Sequence, residues 1–246
     1  MTPQHVRARA SAMPFNSPAY PLGPYRYENR ELLSICYRSD HALLSAVVPE
    51  PLLPASDAVL CNFTRIADST GFGSYHIAAQ VIPVLLPGGA AANYTRFMFV
   101  DAHPPSAGGR ELWGFPQKLG APSLKVERDT LVGRLDLGRL NIATASMGFK
   151  HQPLAGEDAL AALSAPGVLL KIMPHVDGTA AVCELVRYCF TSIKLEGAWR
   201  GPAALSLHPH ALAPLATLPV HEVLWGAHII ADMTLEMGSV IHDYLA

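Results

Sequence analysis

Charge is scarce in this sequence of 246 residues: Asp, Glu, Lys and Arg make up 15% of it, and the formal net charge is -2. No block of Lys and Arg occurs, so the electrostatic footprint that nucleic-acid binding requires is missing and no such partner is expected. Cysteine is limited to Cys36, Cys61, Cys183 and Cys189. Their spacing matches no metal-ligand pattern, and they read as small apolar residues in a reducing compartment rather than as a disulfide framework. Apolar runs are cut by Pro, Gly or charge well short of a membrane span, and no apolar stretch of signal-peptide length follows the N-terminal arginines, so a cytoplasmic protein without membrane contact is expected.

Cofactor and hydrolase signatures are absent too. No Gly-x-Gly-x-x-Gly follows a strand-like segment and no phosphate-loop pattern occurs, so no nucleotide cofactor is expected. Gly-x-Ser-x-Gly is missing, which leaves no nucleophile elbow. The eleven histidines are scattered, with His208 and His210 two apart but without the carboxylate or helical companions of a zinc motif, so no metal is expected.

What is present is apolar residue and turn. Half of the chain is hydrophobic, and 21 prolines and 19 glycines are spread from Pro3 to Gly238 instead of gathering in a linker. That pattern fits many short strands with frequent turns in a single domain over residues 1–246. Strand-like segments run over 32–37, 58–66, 74–85, 94–100, 130–137, 140–146, 168–172, 181–192 and 203–207. Helix candidates are fewer: 41–47, 156–163 and a segment near the C-terminus, whereas Pro116 argues for an extended approach to Gln117 and Lys118. Helices inserted between strands, rather than alternating with them, favour a mainly β (α+β) antiparallel barrel with a few short helices.

One segment concentrates chemistry: Gly108-Gly109-Arg110-Glu111-Leu112-Trp113-Gly114-Phe115-Pro116-Gln117-Lys118-Leu119-Gly120. A lysine held in such an apolar setting can lose its proton near neutrality and attack a ketone to give an imine, an electron sink for cleavage of a neighbouring carbon bond. Lys118 is the candidate amine. The opposing reading is a structural Arg110–Glu111 ion pair with Lys118 reaching to water.

This segment resembles the active-site stretch of acetoacetate decarboxylases, in which Gly-Arg-Glu is followed by an aromatic, Pro and a pair of lysines. Further resemblances run in order along the chain: Ser17-Pro18-Ala19-Tyr20-Pro21, Asn29-Arg30-Glu31, Val47-Val48-Pro49-Glu50-Pro51-Leu52, Ala143 to His151, Cys183-Glu184-Leu185 and His228-Ile229-Ile230-Ala231-Asp232. The resemblance implies a closed antiparallel β-barrel or cone with an interior pocket and a homo-oligomer. It also implies an imine-forming lysine at the first position of the pair, which here is Gln117. An amide cannot form an imine, and on an extended strand Lys118 faces away from whatever Gln117 faces. The positions of the family's two pocket glutamates fall on Asn62 and Ile77, while its substrate-carboxylate arginine is kept as Arg30. Arg96 and His76 are further polar candidates on neighbouring strands, with Glu111 and Phe115 beside them in the motif.

Three functions follow as expectations. The first is a lyase, dehydration, isomerisation or cyclisation on a β-keto acid or polyketide-like carbonyl compound without an imine, with Arg30 holding the anion, Gln117 donating to a carbonyl oxygen and His76 as acid or base. The second is decarboxylation of a β-keto acid through Lys118 turned inward by a bulge. The third is a non-catalytic binding protein for a small acid.

Overall fold

The computed structural model describes residues 1–246. Its strands are β1 (Tyr25–Arg38), β2 (Leu53–Pro54), β3 (Ala58–Ile66), β4 (Asp68–Ser69), β5 (Tyr75–Leu85), β6 (Ala91–Val100), β7 (Gln117–Leu119), β8 (Ala121–Glu127), β9 (Thr130–Leu137), β10 (Leu140–Gly148), β11 (Gln152–Pro153), β12 (Gly167–Pro174), β13 (Ala180–Tyr188), β14 (Phe190–Gly201), β15 (Ala203–Leu207), β16 (Glu222–Leu235) and β17 (Ser239–Asp243). The helices are α1 (Pro3–Arg9), α2 (His41–Val47), α3 (His103–Gly108) and α4 (Gly156–Ser164), and a π turn, Gly109–Trp113, continues α3. No helix is long and apolar enough to cross a membrane.

The longer sheet follows the order β11-β14-β16-β1-β3-β5-β6-β12-β13-β17, and the smaller one β15-β10-β9-β8. The longer path has two free ends and never returns to its first strand, so the closed barrel or cone expected from the sequence is corrected to an open sheet. Its pairing is also mixed: β12 joins β6 in parallel through only Gly167 and Val168, and β7 adds to β6 in parallel. Closure needs a continuous ladder with a fixed stagger, and the short edge strands do not supply one.

Period-two alternation explains the layers. Leu33, Ile35 and Tyr37 of β1, Phe63 of β3 and Ile82 of β5 pack with Leu131, Leu135, Ala143 and Met147 of the smaller sheet in one core. The opposite faces of the same strands carry Tyr27, Leu32, Ile66, Tyr75, Ala79 and Val81, which join Trp113, Phe115 and Ile229 in a second core. Burying each large apolar side chain contributes about 1.5–3 kcal/mol, and a slip of one residue would exchange the two faces, so both cores fix the register.

The helices expected over 41–47 and 156–163 are present as α2 and α4, the former capped by the Asp40 carboxylate accepting from the Ala42 amide at 2.8 Å. The C-terminal helix is not: that region forms β16 and β17, because β16 pairs with β1 on one side and β14 on the other. Long-range pairing overrides local preference there. The strand placed at 181–192 splits at Cys189, between β13 and β14.

Candidate active site

Arg30 enters the interior through a bulge. The β1–β16 register shifts between Tyr27 and Arg30, and Asn29 adopts a left-handed conformation with φ 48. The Asn29 amide donates to Asp232 Oδ1 at 2.8 Å, while Glu31 on the other side is held by His228 at 2.9 Å and Arg65 at 3.2 Å. The arginine is thus clamped from both neighbours. Its own guanidinium lies over the Phe190 ring, 5.4 Å from its centre, with Tyr27, Tyr75 and Tyr188 nearby and no carboxylate partner. Three acids that could have answered it are engaged elsewhere: Glu28 with Arg26, Glu31 as above, and Glu111 as the acceptor for the Tyr20 hydroxyl. Burial lowers the Arg30 pKa from its usual value.

Gln117 opens β7, where the parallel register sets it beside Met98, and it is buried. Its side chain packs over Gly109 so closely that a Cβ there would come within 2.3 Å of the amide end and push it aside. Assigned from its partners, the amide nitrogen donates to the carbonyls of Pro105 at 3.0 Å and Ser106 at 3.2 Å. Both N–H groups are spent on the α3 backbone, and the oxygen turns toward Met98. The expected donation from Gln117 to a substrate carbonyl is therefore corrected: the amide braces α3 and offers the interior an acceptor. Gly114 ends that turn with φ 88, a conformation suited to glycine, and lets the chain turn into Phe115 and Pro116.

These elements enclose a cavity of about 100 Å³ lined by Arg30, Asn62, Tyr75, Ile77, Phe115 and Gln117 among others. Aromatic edges shape it: Phe115 meets Tyr188 at 4.9 Å and Trp113 meets Tyr25 at 5.0 Å between ring centres. Burial pushes the Tyr27 hydroxyl up to about 12, against the pull of Tyr75 and Arg30. Tyr75 and Tyr188 are raised for the same reason. The interior therefore holds one cation, neutral phenols and no carboxylate.

Of the residues singled out in the sequence, Arg30, Asn62, Ile77, Phe115 and Gln117 line this cavity. Lys118 does not: it is exposed, and its Nζ donates to the Leu212 carbonyl at 2.7 Å. His76 alternates away from Tyr75 and Ile77 and bonds Asp101 at 2.9 Å. Arg96 is displaced by a bulge in β6, where Thr95 pairs with Val81 but Phe97 pairs with Gln80. It donates instead to Gln80 Oε1 at 2.9 Å and Thr217 Oγ1 at 3.0 Å, on the other face. Glu111 stays with Tyr20 outside the cavity. Sequence reasoning missed Tyr27, Tyr75, Thr95 and Tyr188, although counting back by two from Ile77 reaches Tyr75.

The sequence profile of the family described as acetoacetate decarboxylase (ADC) matches residues 12–245. A protein of Acidiphilium cryptum named acetoacetate decarboxylase is 56% identical over 241 residues, 98% of each chain. One of that name from Burkholderia vietnamiensis is 55% identical over 246 residues, the whole of both chains. The crystal structure of acetoacetate decarboxylase from Legionella pneumophila superposes with a TM-score of 0.92 at 46% identity, covering 98% of this chain and 97% of that one.

Proposed function

This chain belongs to the acetoacetate decarboxylase family, and from that premise we propose that it removes carbon dioxide from a β-keto acid of the acetoacetate class. The observation that carries this reading is Arg30, a half-buried guanidinium without a protein counter-charge, at the wall of an aromatic cavity. A desolvated cation without a partner is unfavourable, and an organic anion relieves that cost. The carboxylate and keto oxygens of a β-keto acid can lie side by side, which matches the fork of one guanidinium. When the bond to the carboxylate breaks, its electron pair moves into the keto group as an enolate and carbon dioxide leaves. Negative charge then shifts from one arm of the fork to the other and stays beside the cation. On this reading a neutral phenol, Tyr27 or Tyr75, donates toward the enolate oxygen, and a proton added at carbon gives the ketone.

The names carried by full-length relatives favour decarboxylation over the dehydration, isomerisation or cyclisation expected from Gln117, and over a role in binding alone. They also support a second route to the same products, an imine on Lys118 as the lysine adjoining the position of Gln117. That route requires the Lys118 amine to leave Leu212 and reach the cavity. Carbon dioxide release from acetoacetate, measured with and without borohydride, tests both. Release without a fixed adduct is the expected result. A reduced adduct mapped to Lys118 establishes the second route, and no acceleration of release with any β-keto acid refutes decarboxylation.

A further inference from the structure

Beyond the inner cavity lies a larger chamber of about 460 Å³, and the two share Arg30, Asn62, Val81, Thr95, Tyr188 and Phe190 as a neck. The outer chamber is walled by Leu32, Leu60, Leu154, Leu163 and Ile229, and its rim carries the exposed Asp158, Arg200 and Trp225. Arg30 therefore faces two spaces of different size and similar apolar character. The inner one falls below the range of roughly 300–1,000 Å³ typical of small-molecule sites, while the outer one lies within it. An anion held at the neck has room for a short group inward and for a long apolar group outward.

Resting on the decarboxylation reading, we infer that the outer chamber is an acyl-tail site, so that this chain accepts β-keto acids whose acyl group is much longer than the methyl of acetoacetate. The head group would sit on Arg30 and the alkyl or aryl tail would lie among Leu60, Leu163 and Ile229. Each methylene buried there should raise affinity roughly threefold to fourfold, until the tail reaches the rim. An entrance passage would instead show no such gain, because the tail would contact it only in transit.

Chain length and one filling substitution decide between these. Ala162 lies on the exposed side of α4 yet borders the chamber, so Ala162→Trp fills the space without opening the core. The ratio of kcat/KM for butanoylacetate to that for acetoacetate should exceed about ten in the unaltered protein and fall at least tenfold in Ala162→Trp. Butanoate, hexanoate and octanoate, which cannot decarboxylate, are titrated in parallel by calorimetry and should bind progressively tighter only in the unaltered protein. Equal losses for both β-keto acids in Ala162→Trp, or affinity independent of length, overturn the tail site. Length-dependent binding that Ala162→Trp removes, without turnover of any β-keto acid, upholds the chamber and refutes decarboxylation separately.

Discussion

Replacing Arg30 by alanine separates binding from scaffolding because this arginine has no protein carboxylate to lose. In an ordinary buried ion pair, truncation leaves an orphaned charge and costs about 3–5 kcal/mol of stability. Here the substitution removes the unpaired charge itself and relieves its desolvation. Against that relief stand the contacts of the aliphatic stem and the stacking on Phe190 at 5.4 Å, an interaction of about 0.5–2 kcal/mol. These terms oppose each other, so folding stability should change by no more than about 1 kcal/mol, and for a chain of this size Tm by about 2–4 °C. Ligand binding has no such compensation. Truncating one partner of a buried charge pair costs about 2–5 kcal/mol, so the Kd for a small carboxylate should rise by roughly thirtyfold or more. Thermal unfolding and calorimetric titration with butanoate on the same Arg30→Ala preparation give both numbers. A fall in Tm beyond about 8 °C, well outside that estimate, with an unchanged Kd would show that Arg30 braces the sheet and that the anion site is misplaced.

Gln117→Lys introduces an amine beside Arg30 in a site where burial and like charge both lower its pKa; mass spectrometry after acetylacetone and borohydride should find an adduct on residue 117, and its absence in a folded variant would refute the cavity placement. Glu31 has its pKa held below the usual 4.5, first by the hydrogen bond from His228. Its contribution to stability is therefore complete above that range and is lost as pH falls through the folded value, so Glu31→Gln should flatten the acid limb of Tm against pH while lowering Tm near neutrality. Asn29→Val forces a β-branched residue into the left-handed conformation and should cost about 1–3 kcal/mol in denaturant unfolding, whereas Asn29→Gly should be nearly neutral.

Much of the site was legible because strands obey alternation. Once Gln117 was placed on an extended segment, Lys118 had to face the other way, and its bond to the Leu212 carbonyl follows. The same rule, applied from Ile77, would have removed His76 and added Tyr75. Arg96 was beyond its reach, because the bulge opposite Gln80 and Val81 breaks the count in β6 and depends on a pairing that no local pattern announces. The open sheet was hidden for a similar reason: whether edge strands meet is decided by long-range geometry, and short strands such as Gln152–Pro153 leave almost no periodic signal. The bulge that delivers Arg30 lay in plain view as Asn29, a residue that tolerates left-handed backbone, but its partner Asp232 is 203 positions away.

The orientation of Gln117 changes how the chemistry must be distributed. Had its amide nitrogen faced the cavity, one neutral donor would have offered stabilisation to an enolate oxygen, worth about 3 kcal/mol by analogy with an oxyanion-hole donor. With both N–H groups given to Pro105 and Ser106, that share passes to Arg30 and the tyrosine hydroxyls. A cation loses nothing by the exchange: in a water-poor site its attraction for a developing negative charge exceeds that of an amide. The cost is that the same cation also holds the starting carboxylate, and only the difference between the two states accelerates the reaction. That difference must come from where the charge moves. A fork that grips the keto oxygen more closely than the carboxylate, with a phenol on the keto side alone, favours the enolate; a symmetric grip would bind the acid tightly and leave it intact.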